Sequence, residues 1–120
     1  MRISVDLDGV IAQLKAPDQT YADVEPVAGA VERLRELRAA GHYIIINSAR
    51  NMATCEANLG RVIKNVGKVT LDWLDRHDVE YDEIFFGKPN ADVYIDDRAV
   101  RFIEWSQLSD DLLRREARDR

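Results

Sequence analysis

Three isoleucines stand in a row at positions 44 to 46. A surface strand would alternate such residues with polar ones, so an unbroken β-branched run predicts a strand buried on both faces. The run His42 to Ile46 follows Gly41 and leads into Asn47-Ser48-Ala49-Arg50. A second run, Ile3 to Leu7, stops abruptly at Asp8-Gly9. Tyr81 to Phe86 reads as a third strand and Ala91 to Ile95 as a fourth. Between the first two strands, Val27, Ala30, Val31, Leu34 and Leu37 recur at helical spacing. Pro26 suits the first turn of that helix and Gly41 its end. Gly67 to Asp78 reads as a second helix, with Trp73 and Leu74 facing the core. Ala53 to Lys64 stays open between helix and loop, and Leu108 to Arg118 reads as a C-terminal helix. The alternation predicts an α/β fold: a three-layer, Rossmann-like parallel sheet with helices on both faces. The 120 residues suit one domain spanning 1–120.

Composition narrows the function classes. The net charge of -5 argues against a nucleic-acid partner and against an anionic membrane surface. An acidic chain with an anionic substrate needs a metal or local cations at its site. Cys55 is the sole cysteine, so no intrachain disulfide forms, and a reducing, cytoplasmic setting is expected. The N-terminus lacks the apolar core of a signal peptide, and no apolar stretch is long enough to span a bilayer.

Polar groups gather just after the apolar runs: Asp6 and Asp8, Ser48 and Arg50, Lys88, then Asp96 and Asp97. In an open parallel sheet, ligands bind outside the carboxyl ends of the strands. Crowded carboxylates with no Cys/His cluster call for a hard, oxygen-loving cation such as Mg2+. Lys88 and Ser48 offer an ammonium and a hydroxyl to a phosphoryl group. Asp6 and Asp8, two apart on an extended segment, share a face. One can attack phosphorus while the other handles the proton. Gly9 lets the backbone turn tightly beside them.

At these residues the chain resembles the haloacid dehalogenase superfamily of phosphatases. Asp6-Leu7-Asp8-Gly9-Val10 is similar to its first motif, Ser48 to the second, Lys88-Pro89 to the third and Asp96-Asp97 to the fourth. The resemblance implies that Asp6 is the nucleophile and a metal ligand. It implies that Asp8 is the acid/base, with its carbonyl on the metal, and that Ser48 and Lys88 hold the phosphoryl group. Asp96 would bind magnesium directly and Asp97 directly or through water, and Val10 to Tyr21 would form a helical turn and a hairpin flap. A finer resemblance, to small bacterial capsular or surface-polysaccharide biosynthesis phosphatases, rests on Arg50-Asn51-Met52, Thr54, Asn58, Gly60, Trp73-Leu74, Tyr81-Asp82-Glu83-Ile84, Gly87-Lys88-Pro89 and Tyr94-Ile95-Asp96-Asp97. It implies a sugar phosphate or related small metabolite.

No insertion is long enough for a cap domain. A capless enzyme must then admit a large substrate or borrow a lid from a neighbouring subunit, and a homo-oligomer is expected, with Phe102 and Trp105 as exposed interface residues. Arg50 reads equally well as a substrate ligand or as the partner of an acid. His42 reads as a surface or capping histidine, His77 as solvated, and Arg114, Arg115, Arg118 and Arg120 as a basic helix end. A receiver-like phosphoaccepting module, a non-catalytic binding protein and a phosphomutase are the competing readings. The receiver is disfavoured because Asn47, Ser48 and Arg50 stand where its phosphoaccepting aspartate belongs.

Overall fold

The computed structural model describes residues 1–117. Strands β1 (Arg2–Asp6), β2 (Tyr43–Ser48) and β3 (Glu83–Phe86) form a parallel sheet in the order β1-β2-β3. The register sets Asp6 opposite Asn47 and Ser48 opposite Phe86, so the three carboxyl ends lie side by side. Helix α1 (Ala30–Ala39) makes the first crossover. It begins later than its apolar spacing suggests, because Gly29 sits at a φ of 84°, outside the helical region. Val27 still packs against the core from the turn before it.

The second crossover is one helical rod in three pieces: α2 (Leu59–Val62), a π-helical turn (Ile63–Gly67) and α3 (Lys68–Arg76). Asn58 caps its start, its side-chain oxygen accepting the Arg61 N–H at 3.1 Å. The stretch left open in the sequence is thus turns up to Ala57 and then the head of this rod. A 3₁₀ turn (Trp105–Gln107) and α4 (Asp110–Glu116) close the described chain, with Ser109 as the α4 N-cap. Arg118 and Arg120 lie outside the described residues.

The main core joins Val5, Leu7, Ile44 and Ile46 of the sheet region to Leu34, Leu37, Trp73, Leu74 and Trp105. Burying each large apolar side chain stabilises the fold by roughly 1.5–3 kcal/mol. Both tryptophans keep their indole N–H satisfied at 2.8 Å, Trp73 on the Val24 carbonyl and Trp105 on the Val10 carbonyl. A smaller cluster of Met52, Cys55, Val62 and Val66 lies beside Tyr21, Val69 and Phe86. The isoleucine run is not buried evenly. Ile44 and Ile46 are fully buried, whereas Ile45 is only half-buried. On the Ile45 side the strands carry a polar row instead: Arg2 lies 4.6 Å over the Tyr43 ring, and the Tyr43 hydroxyl donates to Glu83 at 2.7 Å.

The structure corrects four expectations. Ala91 to Ile95 forms no strand; the whole stretch is exposed, with Ile95 at 95%. Only Gly87 to Asn90 separate it from β3, and a parallel crossover takes about a dozen residues or more. His42 is buried rather than at the surface, its Nδ1 2.9 Å from the Met1 amino group. Trp105 belongs to the core and Phe102 packs edge-on to it, so neither is a free interface residue. The segment after Gly9 forms no hairpin; it is a tight turn held by two isolated bridges, Asp8 to Ala12 and Ala12 to Pro26.

Candidate active site

Asp6 is the last residue of β1, and Asp8 follows fully buried Leu7. The buried leucine between them fixes the alternation that turns both carboxylates toward the sheet end. Gly9 adopts a φ of 87° and donates its N–H to the Ala12 carbonyl at 2.7 Å, which folds the chain back at once. A side chain there would meet only the tip of Leu14 at 3.5 Å, so the backbone angle and not space demands glycine.

Ser48 closes β2 and is buried. Its hydroxyl accepts the Arg50 N–H at 3.1 Å, and its carbonyl accepts the N–H groups of Gly87 and Lys88, both at 3.1 Å. The end of β2 therefore holds the loop that carries Lys88. From there the Lys88 ammonium lies 3.6 Å from an Asp6 carboxylate oxygen. Burial pushes the Asp6 carboxyl above the usual carboxylate range, and the Lys88 charge pulls it partly back. The Lys88 ammonium also sits 4.2 Å from the centre of the Tyr94 ring.

Arg50 pairs with an acid, the second of its two sequence readings. Its Nε and Nη2 donate to the Asp8 carboxylate at 2.9–3.2 Å, and Nη1 donates to the Thr70 hydroxyl at 3.0 Å. The Tyr21 ring covers the guanidinium at 4.1 Å. Burial, then the Asp8 charge, raises the Tyr21 phenol above its ordinary range. Thr70 and Tyr21 escaped the sequence reading. Thr70 carried a signal, as a polar residue one helical turn before Trp73 and Leu74 on the inward stripe. Tyr21 carried none, since it follows a polar loop.

Asp96 and Asp97 lie on the exposed loop beyond Lys88. Asp96 accepts the Arg98 N–H at 2.9 Å, and Asp97 lies 3.8 Å from the Arg98 guanidinium. The strand ends thus gather Asp6, Asp8, Gly9, Ser48, Arg50 and Lys88, without bringing the second acidic pair against the first. Among the described residues, no three His, Cys, Asp or Glu side chains converge closely enough to hold a metal ion. The donor chemistry nevertheless fits magnesium, which accepts few protein carboxylates and fills its shell with water and phosphate oxygens. No helix among the described residues is long and apolar enough to cross a membrane.

A crystal structure of a target protein from Vibrio cholerae superposes on this chain with a TM-score of 0.85 at 39% identity. The match covers 96% of this chain and 94% of that one. No curated protein matches the chain. The family model for "5' nucleotidase, deoxy (Pyrimidine), cytosolic type C protein" matches residues 13–109. That span includes Ser48, Arg50, Lys88, Asp96 and Asp97 and begins after Asp6 and Asp8. The parallel sheet flanked by helices, without a cap, agrees with the superposition on the Vibrio cholerae structure. The chain belongs to this 5′-nucleotidase family and is a phosphoric monoester hydrolase of the haloacid dehalogenase type.

Proposed function

We propose that the chain hydrolyses a small phosphomonoester through an aspartyl-phosphate on Asp6, with magnesium as its cofactor. The observation that carries this reading is the Lys88 ammonium 3.6 Å from Asp6 at the converging strand ends. Such a pair offers a nucleophile and a fixed positive charge for the phosphoryl oxygens. Asp6 attacks phosphorus, the bond to the leaving oxygen breaks, and Asp8 gives that oxygen a proton. Water then attacks the acyl-phosphate, Asp8 takes its proton, and phosphate leaves with Asp6 restored as carboxylate. Lys88 and Ser48 hold the phosphoryl oxygens, and the Gly9 turn lets the backbone approach them. Asp6, the Asp8 carbonyl, Asp96 and Asp97 are the magnesium ligands that the family resemblance implies, and of these only Asp6 and Asp8 stand together at the strand ends; magnesium would supply further charge neutralisation on the phosphoryl group.

The family match favours a nucleoside monophosphate over the sugar phosphate implied by the surface-polysaccharide resemblance. The phosphatase family also counts against the receiver-like and binding-only readings. Phosphate release from a panel of both substrate classes, with magnesium or EDTA, tests the reading for wild type and Asp6→Asn. Release that needs magnesium and disappears in the variant supports it, and the best member of the panel names the substrate class. Release that survives in Asp6→Asn sinks the covalent mechanism.

A further inference from the structure

Arg50 presents no exposed side-chain surface to a substrate. Its side chain is 0% exposed, and all three of its nitrogens already have protein partners. Two of them form a fork on Asp8, one rests on Thr70, and the guanidinium face lies against Tyr21. A buried guanidinium is tolerated only where such partners repay its lost hydration. The core therefore carries a polar hydroxyl on the inward stripe of α3, between Val66 and the pair Trp73 and Leu74, to keep this one cation satisfied.

What the fork provides is direction. Asp8 lies beyond the end of β1, next to a glycine turn, where one point contact would leave its carboxylate free to rotate. Two parallel N–H bonds from a planar group fix both the position and the plane of that carboxylate. Thr70 fixes the guanidinium in turn, from an element that belongs to the hydrophobic core. Tyr21 closes the open face of the guanidinium from the loop after Gly9. The parts come from three separate stretches of chain.

We propose that Arg50, braced by Thr70 and capped by Tyr21, is a positioning residue that sets the orientation of the Asp8 carboxylate, and is not a ligand of the phosphoryl group. The inference rests on the proposed role of Asp8 in proton transfer. Proton transfer tolerates little misplacement, so a loosened carboxylate slows the chemical step without weakening substrate binding.

The test uses Thr70→Val, which keeps the side-chain shape and removes the oxygen, with Thr70→Ser as the conservative rescue. Thr70→Val is expected to lower kcat about tenfold with KM changed by less than about twofold, and Thr70→Ser to restore most of kcat. Arg50→Lys keeps the charge but loses the fork, and is expected to behave like Thr70→Val. A rise in KM with kcat unchanged in Arg50→Lys overturns the proposal, because it marks a phosphoryl ligand. A lowered melting temperature in Thr70→Val with both constants unchanged also overturns it, because the contact is then only structural. A second readout needs no activity. The Arg50 Nε–H resonance in nitrogen-15 spectra is expected to be protected from exchange in the wild type and exposed in Asp8→Asn. An unprotected wild-type signal removes the clamp itself. A protected signal in a protein that releases no phosphate sinks the hydrolase reading and the positioning role with it, while leaving the Arg50–Asp8 pairing in place.

Discussion

Lys88 reaches from the end of β3, past β2, to within 3.6 Å of Asp6 at the end of β1. Burial raises the Asp6 carboxyl and the lysine charge lowers it, so the two effects oppose each other. Replacing Lys88 by Met removes the lowering influence alone. The titration midpoint of Asp6 is then expected to move further up, as read by carbon-13 resonances of the carboxyl group in magnesium-free protein. A midpoint that stays or falls contradicts the pairing.

The same substitution is expected to slow phosphate release by about a hundredfold or more, since a fixed charge on the transferring group is lost. Asp6→Asn goes further and is expected to cut release at least about a thousandfold. Because Asp6 is half-buried and its charged form is penalised there, the asparagine variant is expected to melt no lower than wild type. A clear drop in its melting temperature at neutral pH would count against this account of the site.

Trp73 is fully buried and its indole N–H donates to the Val24 carbonyl. Trp73→Ala is expected to cost about 3–5 kcal/mol. Trp73→Phe keeps much of the volume but strands the Val24 carbonyl, at about 1–3 kcal/mol. Urea denaturation of the two variants separates the packing loss from the hydrogen-bond loss.

His42 is held below its ordinary range, first by burial and then by the charge of the Met1 amino group. The folded chain therefore binds fewer protons at this residue than the unfolded chain does. Acidification from about pH 7 to about pH 5.5 is expected to lower stability, because only the unfolded state gains the proton. In His42→Gln that dependence is expected to flatten. Melting temperatures across this window check the prediction, and equal slopes in the two proteins would refute it.

Asp82 works in the same sense at lower pH. The Ile44 N–H and then Arg38 hold its carboxyl below the usual range. This contribution is present above the ordinary aspartate range and is lost as pH falls through the lowered value. Asp82→Asn is expected to be less stable than wild type at neutral pH, and the gap is expected to close in strong acid.

The strands and helices were legible because burial leaves a pattern. Ile44 and Ile46, Leu34 and Leu37, and Trp73 and Leu74 stand where periodicity puts inward residues. The clustering of Asp6, Asp8, Ser48 and Lys88 was legible because parallel strands end together. The second acidic pair misled in its structural setting, since Val93-Tyr94-Ile95 has strand-like residues but too short a connection from β3. The burial of His42 and Trp105 was hidden because each depends on a partner remote in sequence, Met1 in one case and Val10 in the other. Thr70 left only the signal of a polar residue on the inward stripe of its helix, because its partner lies twenty residues away and nothing local announces a buried arginine.

The π-helical turn at Ile63–Gly67 gives the second crossover two phases. Val62 and Val66 face the small cluster, while Thr70, Trp73 and Leu74 face Arg50 and the main core. A regular α-helix advances about 100° per residue, and a wide turn of this kind absorbs one extra residue without breaking the rod. Deleting a single residue such as Asn65 would let the turn relax into an ordinary helix with little local cost. The two halves would keep their phase, with Thr70 still on Arg50 and Trp73 still on Val24. The same deletion in the regular turns of α3 would rotate the residues beyond it by about 100°, so the wide turn marks the one part of the rod that can give up a residue without disturbing the Asp8 carboxylate.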